Sequence, residues 1–92
     1  MRAGAFGDRR VSRPQKRSLT LRGHATSVSL EPEFWRAFRR LAAARGMAVN
    51  ALAAEIDARR APSTGLATAI RLHVLAELEA ELAAATATRS AQ

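Results

Sequence analysis

The chain has 92 residues, 48% of them hydrophobic and none of them cysteine, with a formal net charge of +7. This length suits one small domain; the lack of cysteine excludes a disulfide framework and a thiolate zinc site; and no apolar run reaches the length of a membrane span. Much of the hydrophobic fraction is alanine, which favours helix but adds little core volume, so a second copy of the chain is a natural source of further buried surface.

The charge is unevenly placed. Residues 1–23 hold Arg2, Arg9, Arg10, Arg13, Lys16, Arg17 and Arg22 against the single acid Asp8, whereas the remainder is nearly balanced. Residues 1–16 also carry Gly4, Gly7 and Pro14 and show no apolar period, so they read as a basic, disordered arm. Within and beside it, Arg9, Arg10, Arg13, Lys16 and Arg17 form a patch suited to polyanions without reading sequence. The segment lacks the apolar stretch of a secretion signal, and a cytoplasmic location is the expectation. The Ala- and Arg-rich composition suits a bacterium of high genomic GC content.

Residues 17–30 are the strand-like part of the chain. From Thr26 to Leu30 the pattern alternates, with Val28 and Leu30 on one face and Ser27 and Ser29 on the other, as in a half-exposed strand. Glu31-Pro32-Glu33 then opens a helix: Pro32 fits the first turn, and the two acids complement the positive end of the helix dipole. Phe34, Phe38, Leu41 and Ala42 recur at helical spacing, and Gly46 is placed to close the helix. A second helix is expected from Val49 to Arg59, with Val49, Leu52, Ala53 and Ile56 as its stripe. Ala61-Pro62-Ser63-Thr64-Gly65 breaks it. A third helix is expected from Leu66 to Ala84, with Ile70, Val74, Leu78 and Leu82 at spacing four, followed by a frayed tail over 85–92. The domain proper is therefore expected over 17–84.

A lone strand cannot satisfy its own backbone donors and acceptors, and two arrangements are open. The strand can pair antiparallel with its copy in a second chain. Or it can fold back on residues 17–22 as a hairpin, with Gly23-His24 as a two-residue type II′ turn that sets Leu21 opposite Thr26 and Leu19 opposite Val28. Both together would give four strands spanning about 14 Å. A major groove about 12 Å wide does not admit that sheet flat.

The alternating strand Thr26–Leu30, a helix opening at Pro32, the linking Gly46 and Val49-Asn50 at the start of the next helix resemble the ribbon-helix-helix family of bacterial DNA-binding proteins. The stretch Gly23 to Trp35, with Leu66 to Arg71, looks like an uncharacterised bacterial branch of it. The resemblance implies a mainly α fold with one short N-terminal strand, an antiparallel ribbon between two subunits, and an added C-terminal helix. It implies a homodimer whose core holds Val28, Leu30, Phe34, Trp35, Phe38, Leu41, Leu52 and Ile56. It also implies double-stranded DNA as partner: Ala25, Ser27 and Ser29 toward base edges, and Ala48, Val49 and Asn50 toward phosphate at a helix N-terminus. Arg22 and His24 are further phosphate candidates. Ala25 cannot hydrogen-bond a base, serine discriminates bases less well than Arg or Asn, and Ala48 lacks the oxygen of a capping Ser or Thr.

His73 has only Glu77 at helical spacing, which does not make a metal site. No nucleophile arrangement or Gly-rich phosphate loop is present. The expected function is sequence-selective DNA binding in transcriptional regulation, with no enzymatic activity, cofactor, metal or membrane partner. The alternative is a protein-interaction module or antitoxin that uses the same fold to dimerise, with a protein partner on the third helix.

Overall fold

The computed structural model describes residues 12–91, with side chains through Arg89. Two strands, β1 (Gln15–Leu21) and β2 (His24–Leu30), are followed by three helices, α1 (Pro32–Ala44), α2 (Val49–Arg59) and α3 (Leu66–Ala91). The mainly helical architecture, with a ribbon ahead of two helices and an added C-terminal helix, is the one expected. Arg9 and Arg10 of the expected arm lie outside the described residues.

The strand count is the main correction. β2 is not alone: β1 pairs with it antiparallel over its whole length, from Leu21↔His24 to Gln15↔Leu30. Lys16 and Arg17, assigned to the basic arm or its border, are strand residues. The turn is Arg22-Gly23 rather than Gly23-His24, with φ of 51° and 86°. Positive φ at both central positions is the type I′ geometry, whose twist matches that of the flanking strands. The register therefore differs by two residues from the expected one, with Leu19 opposite Thr26 and Arg17 opposite Val28. A slip of two preserves the faces. Leu19, Leu21, Val28 and Leu30 still share one side, and all four are buried.

That side lies on the helices. Phe38, Leu41 and Ala42 of α1, Leu52, Ala53 and Ile56 of α2, and Ile70 and Val74 of α3 complete a single cluster with the four strand residues. Of the residues assigned to a dimer core, Val28, Leu30, Phe38, Leu41, Leu52 and Ile56 are thus already removed from water within one chain, and Phe34 and Trp35 are partly buried against the cluster. Gly46, at φ 68°, ends α1 as its sequence position suggested. Its N–H donates to the Ala43 carbonyl and that of Met47 to the Ala42 carbonyl, both at 2.9 Å, which is the Schellman arrangement.

α3 continues to Ala91 rather than ending at Ala84. Ala83-Ala84-Ala85 and the residues after them contain no Gly or Pro, and alanine-rich sequence propagates helix without needing tertiary contacts. From Leu78 onward the side chains of α3 through Arg89 are exposed. An ion pair, Arg40 Nη2 to Glu81 Oε1 at 3.0 Å, ties this part to α1. Both side chains are about half exposed, so solvent screens the pair and it adds little.

Candidate nucleic-acid interface

Because side chains alternate along a strand, burying Leu19, Leu21, Val28 and Leu30 turns the intervening residues outward. Lys16, Ser18 and Thr20 of β1 stand opposite Ser29, Ser27 and Ala25 of β2. All six are exposed. None is acidic, four carry a hydroxyl and one is a cation. The sequence-predicted trio Ala25, Ser27 and Ser29 is therefore together on one face, but it forms only half of that face. The β1 row was not among the sequence-predicted site residues, although the Ser18/Thr20 alternation mirrors Ser27/Ser29.

The same antiparallel alternation points the backbone groups of these six residues away from the partner strand. Two observed bonds use them. On the β1 edge, Thr20 N–H donates to Asn50 Oδ1 at 3.1 Å. On the β2 edge, Arg71 Nη2 donates to the Ser29 carbonyl at 3.1 Å. Arg71 is itself held by Glu31, Nε to Oε1 at 2.9 Å, and its guanidinium carbon lies 5.8 Å from the Phe34 ring centroid. That hydrogen bond, with help from the Glu31 backbone, holds the Glu31 carboxyl below the ordinary glutamate value.

Asn50 brings the start of α2 against β1. The N-cap residue Ala48 has extended backbone, φ −69° and ψ 149°, and makes no side-chain cap bond. The first intrahelical bond at this end is Leu52 N–H to the Ala48 carbonyl at 3.1 Å. The N–H groups of Val49, Asn50 and Ala51 thus have no helical acceptor, and such groups favour an anion. The order across this side of the molecule is β2, β1, α2 N-terminus, so β1 separates the expected base-reading row from the expected phosphate donors. Asn50 has its side-chain oxygen committed to Thr20, which leaves the amide nitrogen as its donor toward a ligand.

The turn residues divide. Arg22 is exposed at the tip. His24 shares the parity of Thr26 and Val28 and faces the helix side. There it lines an open groove with Arg22, Asp57 and Arg60, not the outward hydroxyl face. Behind the sheet, Arg17 extends over Trp35 with its guanidinium carbon 5.3 Å from the ring centroid, and Trp35 meets Phe38 at 6.1 Å between centroids. Among the described residues no cluster of three or more His, Cys, Asp or Glu side chains could hold a metal ion, and no helix is long and apolar enough to cross a membrane.

The family model for the ribbon-helix-helix domain matches residues 14–78. The chain belongs to the ribbon-helix-helix family. Members are typically DNA-binding regulators or antitoxins, and the fold is generally non-enzymatic. The matched span of this ribbon-helix-helix chain contains both strands, α1, α2 and the first half of α3. No curated protein and no solved structure matches the chain.

Proposed function

We propose that this protein is a sequence-selective regulator that binds double-stranded DNA in the cytoplasm as a homodimer. In this reading the outward sheet face enters the major groove. Ser27 and Ser29 meet base edges there, and Ala25 offers an apolar contact to a thymine methyl group. The free N–H groups of Val49, Asn50 and Ala51, following the extended Ala48, supply phosphate contacts together with Arg22 and the basic residues Arg9, Arg10, Arg13 and Lys16. His24 lies close enough to the tip to join them when a duplex approaches from the turn. The observation that carries the reading is an exposed two-stranded face free of carboxylates and rich in hydroxyls, flanked by an uncapped helix N-terminus. Acidic side chains on such a face would repel a polyanion; hydroxyls accept either base edge.

The test is a fluorescence-anisotropy titration of the full chain with a duplex recovered from a random pool, at several salt concentrations. Binding weakens steeply with salt as counterions are released. Changing both Ser27 and Ser29 to alanine relaxes sequence preference more than affinity. A full-length chain that binds no duplex even at low salt contradicts the reading.

One observation favours a second reading, that of an interaction module or antitoxin. Leu72, Leu75, Leu78 and Leu82 of α3 are exposed large apolar residues. Leu75, Leu78 and Leu82 fall along one stripe of the helix, a surface that a protein partner or a second copy would cover. Loss of a partner on changing Leu75 and Leu82 to Gln, with DNA binding absent in the unaltered chain, supports that alternative.

A further inference from the structure

We propose that the groove beneath the hairpin tip is a binding site for a small, singly charged carboxylate with an apolar body. The site stands on its own geometry; its effect on DNA rests on the DNA-binding reading above.

The groove follows from how far the helices extend under the sheet. His24, Thr26, Val28 and Leu30 are the inward positions of β2, by the alternation of a strand. Val28 and Leu30 are buried, whereas His24 and Thr26 are exposed. Their partners across the hairpin, Leu21 and Leu19, are both buried. Among the described residues, the helix layer therefore covers the β1 half of the tip and stops short of the β2 half. The space left between the hairpin, α2 and the start of α3 is about 460 Å³, within the range of ~300–1,000 Å³ that small-molecule sites occupy. The residue types agree with an uncovered space. The two covered positions of β2 hold valine and leucine; the two uncovered ones hold an imidazole and a hydroxyl.

The lining sets the chemistry of the occupant. Leu21, Ala54 and Leu66 supply apolar surface, and Arg22 and Arg60 stand against one acid, Asp57. Arg60 Nε donates to Asp57 Oδ1 at 2.7 Å, and its Nη1 donates to the Thr64 carbonyl at 2.7 Å. These bonds offset the carboxylate and hold the guanidinium in place, which reduces the ordering that binding would otherwise require. Two arginines and one aspartate leave a balance of one positive charge, which a single carboxylate matches. His24 and Thr26 add hydrogen-bonding groups. A bare inorganic ion leaves the leucine and alanine surface unused; an apolar body covers it.

Arg22 and His24 are also the tip residues offered to phosphate. An occupied groove withdraws them from a duplex, so carboxylate and DNA weaken each other's binding.

The probe is benzoate, with benzyl alcohol as its uncharged counterpart and an equal concentration of sodium chloride as the screening control. In ¹⁵N-labelled full-length protein, benzoate should shift the amides of residues 21–26, 54–60 and 66 saturably, and benzyl alcohol should do so much less. Arg22→Gln should weaken benzoate binding about three- to fivefold, the worth of an exposed charge pair. No saturable shift at these residues, or the same shifts with chloride, overturns the site. Because the chain has no native cysteine, Thr26→Cys places a single thiol in the groove. Iodoacetamide should modify it readily, and benzoate should slow the reaction. A thiol protected without benzoate, and more so at higher protein concentration, overturns the proposal by showing that a second copy fills the groove. Duplex titrations separate the two readings. Benzoate should weaken DNA binding by the unaltered chain more than by Arg22→Gln, and an unchanged duplex affinity overturns the opposition between the ligands. Benzoate binding by a chain that binds no duplex removes the DNA-binding reading and leaves the site standing.

Discussion

Docking of β1 onto the helices can be tested by removing one side chain, Leu19→Ala. Leu19 is 3% exposed and belongs to the central cluster. The substitution deletes three buried carbons, about 2.4 kcal/mol of transfer free energy at ~0.8 kcal/mol per methylene. The cavity left behind brings the total into the range of about 2–5 kcal/mol. A domain of this size has about 5–10 kcal/mol of stability, so the loss is a large share of it and corresponds to a fall in Tm of roughly 10 °C or more. Urea unfolding followed by far-ultraviolet circular dichroism measures it, at one fixed protein concentration because self-association would shift the midpoint. Ser18→Ala, on the exposed face of the same strand, is the control and should stay within about 0.5 kcal/mol. If Leu19→Ala costs no more than Ser18→Ala, β1 is not packed on the core, and the double-row face loses its basis.

Other perturbations separate stability from binding. Arg22 adopts φ 51°, a left-handed conformation that asparagine tolerates better than arginine. Arg22→Asn should therefore raise stability by about 0.5–1 kcal/mol in urea unfolding while weakening DNA binding and lowering the salt slope by about 0.9 if Arg22 meets a phosphate. Unchanged stability would contradict the positive-φ turn. Burial holds the His73 imidazole below its ordinary value of 6.5, with Arg45 and Arg59 acting in the same direction and Glu77 and Glu55 opposing. The unfolded chain thus binds the proton more readily than the fold. The contribution of neutral His73 is present above the ordinary value and is lost as pH falls through the lowered one. Urea midpoints measured from pH 7.5 downward should decline, and His73→Leu should flatten that decline. Equal slopes in the two proteins would contradict the assignment.

Most of the helical architecture was legible in the sequence because each local signal agreed with the packing. Pro32 marked the start of α1, Gly46 its end, and the stripes of Leu52, Ala53 and Ile56 and of Ile70 and Val74 marked the buried faces. β1 was less legible for a physical reason. Lys16, Arg17 and Ser18 carry none of the apolar content of a core strand, and only Leu19 and Leu21 reveal a buried side. Arg17 is half-buried there, its guanidinium over the Trp35 ring, an arrangement that composition alone does not show. The turn was misplaced by one residue because Gly23 satisfies either a first or a second central position. What decided for the second was an arginine accepting positive φ, which propensity argues against. The length of α3 was underestimated because fraying was expected of an exposed end, whereas its alanines sustain helix without neighbours.

The same considerations explain how much of the candidate face was legible in the sequence. Ser27 and Ser29 were visible as the polar half of an alternating strand. Ser18 and Thr20 share that face in the expected hairpin register as well, and the observed register sets them opposite Ser27 and Ala25. Asn50 was placed correctly at the start of α2, but its bond to Thr20 ties the N-terminal end of that helix to β1 rather than to β2.

The most direct test of the account is a titration of ¹⁵N-labelled full-length protein with the selected duplex, followed through its backbone amide resonances. The account predicts the largest shifts at residues 16–20, 25–29 and 49–51, on the two outward rows and the neighbouring helix start, with α3 beyond Val74 little affected. Shifts confined to residues 1–14, or centred on the leucines of α3, would contradict it.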